Sequence, residues 1–119
     1  MEKLVSIRGA ITVKENNTND IKDATYLLLS EILKGNKLDK EQIVTIIFTV
    51  TSDLDSINPA TIVREEFKLG STAMLCVQEM KIKGGLPKCI RILVQAYTSH
   101  SVKHLYLREA EVLRPDLSS

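Results

Sequence analysis

Hydrophobic positions change their spacing repeatedly along the chain, and the changes divide it into predicted elements. Residues 3 to 13 alternate loosely and end in the β-branched run Ile11-Thr12-Val13, with Gly9 interrupting just after Arg8. This predicts a strand to which another group approaches closely at the glycine. Glu15-Asn16-Asn17-Thr18 supplies turn and cap residues, Asp20 and Asp23 fall in the favourable first turn, and Ile21, Ala24, Leu28 and Ile32 share one helical face. A helix from Thr18 to Lys34 follows, stopped by Gly35-Asn36 with the glycine in the left-handed conformation.

Ile43 to Thr51 is rich in Val, Ile, Thr and Phe without helical spacing, which predicts a central strand buried on both faces or nearly so. Ser52-Asp53-Leu54-Asp55 and Asn58-Pro59 break the pattern, and Pro59 suits the start of a short helix, Ala60 to Phe67, that carries Arg64. Thr72 to Val77 and Cys89 to Tyr97 read as strands, and His104 to Leu107 as a short one continued by Glu111-Val112-Leu113. The sum is an α+β fold: about five strands in a mixed sheet, one long helix and short helical turns. With so little helix, one face of the sheet is covered and the other is buried most simply against copies of the chain, so a closed homo-oligomer is expected.

A chain of 119 residues, 44% hydrophobic, forms one domain, residues 1–119. Sixteen Lys and Arg against 15 Asp and Glu leave a formal charge of +1, with no dense basic run, and three Tyr, two Phe and no Trp give few stacking platforms. Nucleic-acid binding is disfavoured on both counts. Cys76 and Cys89 have no histidines at metal-ligand spacing, while His100 and His104 sit apart near the C-terminus; neither a zinc site nor any other metal is expected. The N-terminal residues lack a signal-peptide apolar core and no stretch reaches spanning length, so the expectation is a cytoplasmic protein, off the membrane, with reduced thiols.

The chemistry-bearing residues are three arginines in apolar or element-terminal settings: Arg8 in Ile7-Arg8-Gly9, Arg64 in Ile62-Val63-Arg64, and Arg91 in Ile90-Arg91-Ile92. Glu79, in Cys76-Val77-Gln78-Glu79-Met80, stands on an apolar segment joined to that of Arg91 through Gly84-Gly85. Arginine is always charged and its planar donor fork suits carboxylates, so an anionic ligand is implied. The plainer alternative pairs each arginine with an acid such as Glu65, Glu66, Glu79 or Glu109. No serine sits in a nucleophile-elbow context and no histidine pairs with a cysteine, which leaves binding and electrostatics as the means of any catalysis.

Six blocks in order carry a resemblance: Ile7-Arg8-Gly9-Ala10 with Thr12-Val13; Pro59-Ala60 with Val63-Arg64-Glu65; Cys76-Val77-Gln78-Glu79-Met80; Gly84-Gly85-Leu86-Pro87-Lys88-Cys89-Ile90-Arg91; His104-Leu105-Tyr106-Leu107; and Val112-Leu113-Arg114-Pro115-Asp116-Leu117. The chain resembles, over nearly its whole length, the monofunctional chorismate mutases of the AroH class. The resemblance implies a homotrimer of the bacillus type forming a pseudo-α/β barrel, with active sites at subunit interfaces. It also implies the Claisen rearrangement of chorismate to prephenate without metal or organic cofactor.

By that likeness Arg91 stands at the ether oxygen and touches the side-chain carboxylate, Arg8 and Tyr106 bind the same carboxylate, and Glu79 meets the ring hydroxyl with help from Cys76. Arg64 corresponds to an arginine near the ring carboxylate, from the adjacent subunit, and Leu113 and Arg114 close over the pocket. Cys89 and both histidines are read as structural. Asn58 stands where a bulky aromatic wall is expected and Thr61 where a lysine is common. A carboxylate-binding or imine-deaminating trimer and a purely structural oligomerisation module are the competing readings.

Overall fold

The computed structural model describes residues 1–114. Its elements are β1 (Lys3–Thr12), α1 (Thr18–Gly35), a 3-10 turn (Lys40–Gln42), β2 (Ile43–Val50), α2 (Pro59–Glu66), β3 (Ala73–Gln78), β4 (Cys89–Thr98), β5 (Leu105–Leu107) and a second 3-10 turn (Arg108–Leu113). The strands form one mixed sheet in the order β3-β2-β4-β1-β5. β4 runs antiparallel to both β1 and β2, whereas β5 is parallel to β1 and β3 is parallel to β2. Pro115-Asp116-Leu117, part of the sixth resemblance block, lies outside the described residues.

Alternation divides each strand between two faces. Ile7 and Ile11 of β1, Ile46 and Phe48 of β2, and Ile90, Ile92, Val94 and Ala96 of β4 form one buried core with Ile21, Ala24, Leu28, Leu29 and Ile32 of α1 and Ile62 and Val63 of α2. Among the described residues the opposite face holds only a smaller buried cluster, Ala10, Cys89, Tyr106 and Ala110, bordered by Leu86 and Leu113. β2 is therefore buried on one face only, contrary to the expected burial on both, and the central strand is β4. The continuous β-branched run in β2 concealed an alternation that puts Thr45, Ile47 and Thr49 on the half-exposed side.

Helix α1 starts where expected, its N-cap Asn17 accepting a hydrogen bond from the Asp20 amide at 2.8 Å. Its stop differs: Gly35 stays helical, and the residue with left-handed backbone is Lys37, φ 52°. The buried Asn36 side chain ends the helix instead, donating to the Ile32 and Lys103 carbonyls at 2.9 Å each and accepting from the Lys103 amide at 2.7 Å. It ties the helix end to the segment leading into β5.

Gly9 is where the close approach occurs: a Cβ there would lie 2.9 Å from the Leu105 carbonyl oxygen and 3.0 Å from Ile32. The predicted extension of the last strand through Glu111-Val112-Leu113 is instead the 3-10 turn, because Arg108 takes positive φ, 55°, and turns the chain out of β5. Among the described residues no helix is long and apolar enough to cross a membrane.

Candidate active site

The register of the sheet assembles the site. Thr49 on β2 faces Arg91 on β4, Arg91 faces Ala10 on β1, and Ala10 faces Tyr106 on β5. Directly opposed residues share a face, so these four form one row across four strands, spanning about 14 Å at the usual interstrand spacing. Arg8, opposite Leu93, lies diagonal to Arg91 on the same face. A hollow, about 300 Å³, is lined by Arg8, Thr49, Arg91, Leu93 and Tyr106.

Glu79 reaches this row from just beyond β3, where its amide donates to the Val50 carbonyl at 2.8 Å. Its Oε1 accepts from Arg91 Nε at 2.7 Å and from the Thr49 hydroxyl at 2.9 Å. Of the two paired side chains, that of Arg91 is 42% exposed and that of Glu79 24%. An ion pair so open to water adds at most about 1 kcal/mol to stability, so its value lies in orientation. The plainer alternative of the sequence reading, an arginine paired with a nearby acid, therefore holds for Arg91.

A second hollow, about 460 Å³, adjoins through Arg91 and is lined by Glu79, Met80, the Ile82–Leu86 turn and Leu113. The turn closes through the Gly85 amide on the Ile82 carbonyl at 2.9 Å, with Gly84 at φ 80°, a backbone conformation that disfavours other residues. Asp53 braces the far side: its carboxylate accepts from the Lys88 amide at 3.0 Å and from the Thr51 hydroxyl, while Thr51 Oγ1 accepts from the Cys89 amide at 3.0 Å. A larger hollow, about 620 Å³, near Lys14, Asp20 and Arg108 contains none of Arg8, Arg64 or Arg91.

Arg8, Arg91, Glu79, Tyr106 and Leu113 are thus brought together, with Tyr106 and Leu113 packed in the smaller cluster. Arg114 follows Leu113 directly after the second 3-10 turn. Burial, with Arg8 and Arg114 as nearby positive charges, holds His104 below its usual pKa. His104 Nδ1 accepts the Arg8 backbone N–H at 2.9 Å, which requires that nitrogen to be unprotonated.

Two predicted residues lie elsewhere. Cys76 pairs in register with Phe48 and packs against the helix-covered core, on the face away from Arg91; burial pushes its thiol pKa up. Arg64 is exposed on α2, in the helix layer, and Glu66, one of its candidate partners, is taken by Lys22 at 2.8 Å. Asn58, at the position expected to be aromatic, caps α2 by accepting from the Ala60 amide at 2.8 Å. Cys89 is buried as expected, its pKa pushed up to about 11 by burial.

Sequence reasoning missed Thr49 and Asp53 and left His104 without a partner. A turn-forming acid directly after a strand is a usable signal for Asp53. Thr49 and His104 owe their places to pairings with distant strands, which no local pattern records.

The family described as chorismate mutase type I matches residues 4–117. The chain is similar to the chorismate mutase AroH of Bacillus subtilis (strain 168), 38% identical over 115 residues, 94% of this chain and 91% of that protein. It is similar also to the chorismate mutase AroH of Thermus thermophilus, 42% identical over 117 residues, 95% of each. Among solved structures, a chorismate mutase from Clostridium thermocellum superposes with a TM-score of 0.87 at 40% identity, covering 91% of this chain and 98% of that one.

Proposed function

Because the chain belongs to the chorismate mutase type I family and is a chorismate mutase, an isomerase of aromatic amino-acid biosynthesis that converts chorismate to prephenate, we propose that the arginine-bearing sheet face is where the rearrangement takes place. The observation that carries this reading is the cross-strand row with Arg8 on its diagonal: two fixed cations and a tyrosine around one hollow, with Glu79 tied to Arg91. Arg8 and Tyr106 hold the side-chain carboxylate, and Glu79, through the oxygen not engaged by Arg91, meets the ring hydroxyl. Holding both ends selects the folded conformer and removes part of the entropic barrier.

As the carbon–oxygen bond breaks, the ether oxygen gains negative charge, and the Arg91 guanidinium beside it stabilises the transition state more than the ground state. No proton transfer or nucleophile enters this mechanism. Leu113 and Arg114 cover the substrate from the C-terminal turn.

The single domain assembles as a homotrimer whose sheets close a pseudo-α/β barrel around sites shared between subunits. Support comes from the uncovered sheet face, where Leu75 is 63% and Val77 48% exposed; apolar strand residues this open favour burial against a copy. Sharing a site also explains why Arg64 stands apart from Arg91 within one chain: it serves the neighbour's site, near the ring carboxylate. A cytoplasmic setting suits the two free cysteines, Cys76 and Cys89.

The direct test is a cofactor-free assay of the purified protein with chorismate, identifying prephenate as product, together with Arg91→Ala. Turnover in the wild type and its near-abolition in the variant, with oligomer size unchanged, are expected. Retained turnover in Arg91→Ala refutes its role, and chorismate raising the melting temperature without turnover favours a carboxylate binder.

A further inference from the structure

Resting on the mutase reading above, we propose that Thr49 is a positioning residue for the reaction: its hydroxyl fixes Glu79, and through Glu79 it aims the Arg91 guanidinium at the substrate. Glu79 Oε1 receives two donors from two different strands, the Thr49 hydroxyl of β2 at 2.9 Å and Arg91 Nε of β4 at 2.7 Å. The three groups form a chain in which the middle carboxylate oxygen has both lone pairs engaged. The Glu79 main chain is anchored one residue from Thr49, through its amide on the Val50 carbonyl. Both the backbone and the side chain of Glu79 are therefore referred to the end of β2.

Without Thr49, the carboxylate would be held sideways, among the described residues, by Arg91 alone, itself 42% exposed and carried on a long side chain. The two would be free to move as a pair. With Thr49, the Arg91 Nε–H is directed to a fixed point, and Arg91 lines the same hollow as Arg8, Thr49 and Tyr106. Fixing donors before the charge develops is what makes an electrostatic contribution effective. A threonine serving only as a strand former would be replaceable by valine, which has the same shape and strand preference but no hydroxyl.

Thr49→Val and Thr49→Ser separate these roles. Thr49→Val is expected to lower kcat about tenfold, the scale of one hydrogen bond to a charged group, with KM changed less than about threefold if the loss falls on the transition state. Thr49→Ser restores kcat, and Thr49→Val adds little to Glu79→Gln because the two act in one chain. Wild-type kcat in Thr49→Val, equal losses in the Val and Ser variants, or full additivity with Glu79→Gln would each overturn the proposal. Independently of turnover, hydrogen exchange of the Arg91 Nε–H read by nitrogen-15 NMR is expected to be slow in wild type and Thr49→Ser and faster in Thr49→Val; equal exchange in all three also overturns it. Failure of the wild type itself to convert chorismate would refute the mutase reading, while the exchange measurement still decides the positioning role.

Discussion

The two faces of one sheet follow different rules although they are built from alternate residues of the same strands. In β4, Ile90, Ile92, Val94 and Ala96 turn to the helices and are sealed in the main core, while Arg91, Leu93, Gln95 and Tyr97 turn the other way. On the helix side the apolar side chains are covered within the chain, by shape and burial, and among the described residues the Thr25 hydroxyl is the one buried side-chain polar atom without a hydrogen-bond partner. On the other side the chain presents charged donors, a half-open ion pair and exposed apolar residues, needs that a ligand and a neighbouring copy can meet. Substitutions on the first face should act on stability, and those on the second on turnover and assembly.

The largest effect expected is on the sealed face. Phe48 is fully buried, and Phe48→Ala should cost about 3–5 kcal/mol of stability, read as a shift of the urea midpoint. A much smaller loss would mean that the core can collapse around the gap, and the contrast would weaken. On the open face, Arg91→Ala should raise the activation barrier by about 3 kcal/mol, a fall in kcat of over a hundredfold, while moving the urea midpoint little. A stability loss as large as that of Phe48→Ala would show that the open face, too, is structural.

Leu75→Lys probes assembly alone. If the proposed assembly buries Leu75, a charge there should weaken each contact by about 2 kcal/mol, detected as dissociation on dilution in sedimentation velocity. Unchanged sedimentation would exclude Leu75 from the interface. The smallest effect concerns His104, whose folded-state pKa is held below the usual 6.5. Both folded and unfolded chains carry the neutral ring above pH 6.5, so stability is full there and declines as pH falls from 6.5 through the folded-state value. His104→Asn, which offers an oxygen acceptor to the Arg8 amide without titrating, should flatten that decline in thermal melts; an unaltered slope would assign it to other groups.

The sealed face was largely legible because its information is local. The spacing of Ile21, Ala24, Leu28 and Ile32 places α1, Pro59 opens α2, and Gly9 marks the close approach that Leu105 makes. Where local signals compete, reading them singly misled: the helix stop lies with the Asn36 side chain rather than a left-handed Gly35, and Val112 and Leu113 belong to a turn because Arg108 bends the chain first. The 3-10 turn at Lys40–Gln42 went unread although its signature is local, an Asp39 and Gln42 capping box.

Of the candidate site, Arg8, Glu79, Arg91 and Tyr106 were identifiable as a set through their resemblance to a family, since periodicity alone marks them only as polar residues in apolar surroundings. Their arrangement was not legible. Which side of the sheet Cys76 and Thr49 occupy depends on register, and a one-residue slip would exchange them.

What the sequence by itself determined is the identity of the elements, the face that α1 and α2 cover, and the supply of cations for an anionic substrate, because these follow from residue type and short-range spacing. Only the tertiary structure decided that Arg91 stands between Thr49 and Ala10, that Glu79 is shared by Thr49 and Arg91, and that His104 holds the Arg8 backbone. Those contacts join residues as far as 96 positions apart, and they arise from strand register, which many distant side chains set together.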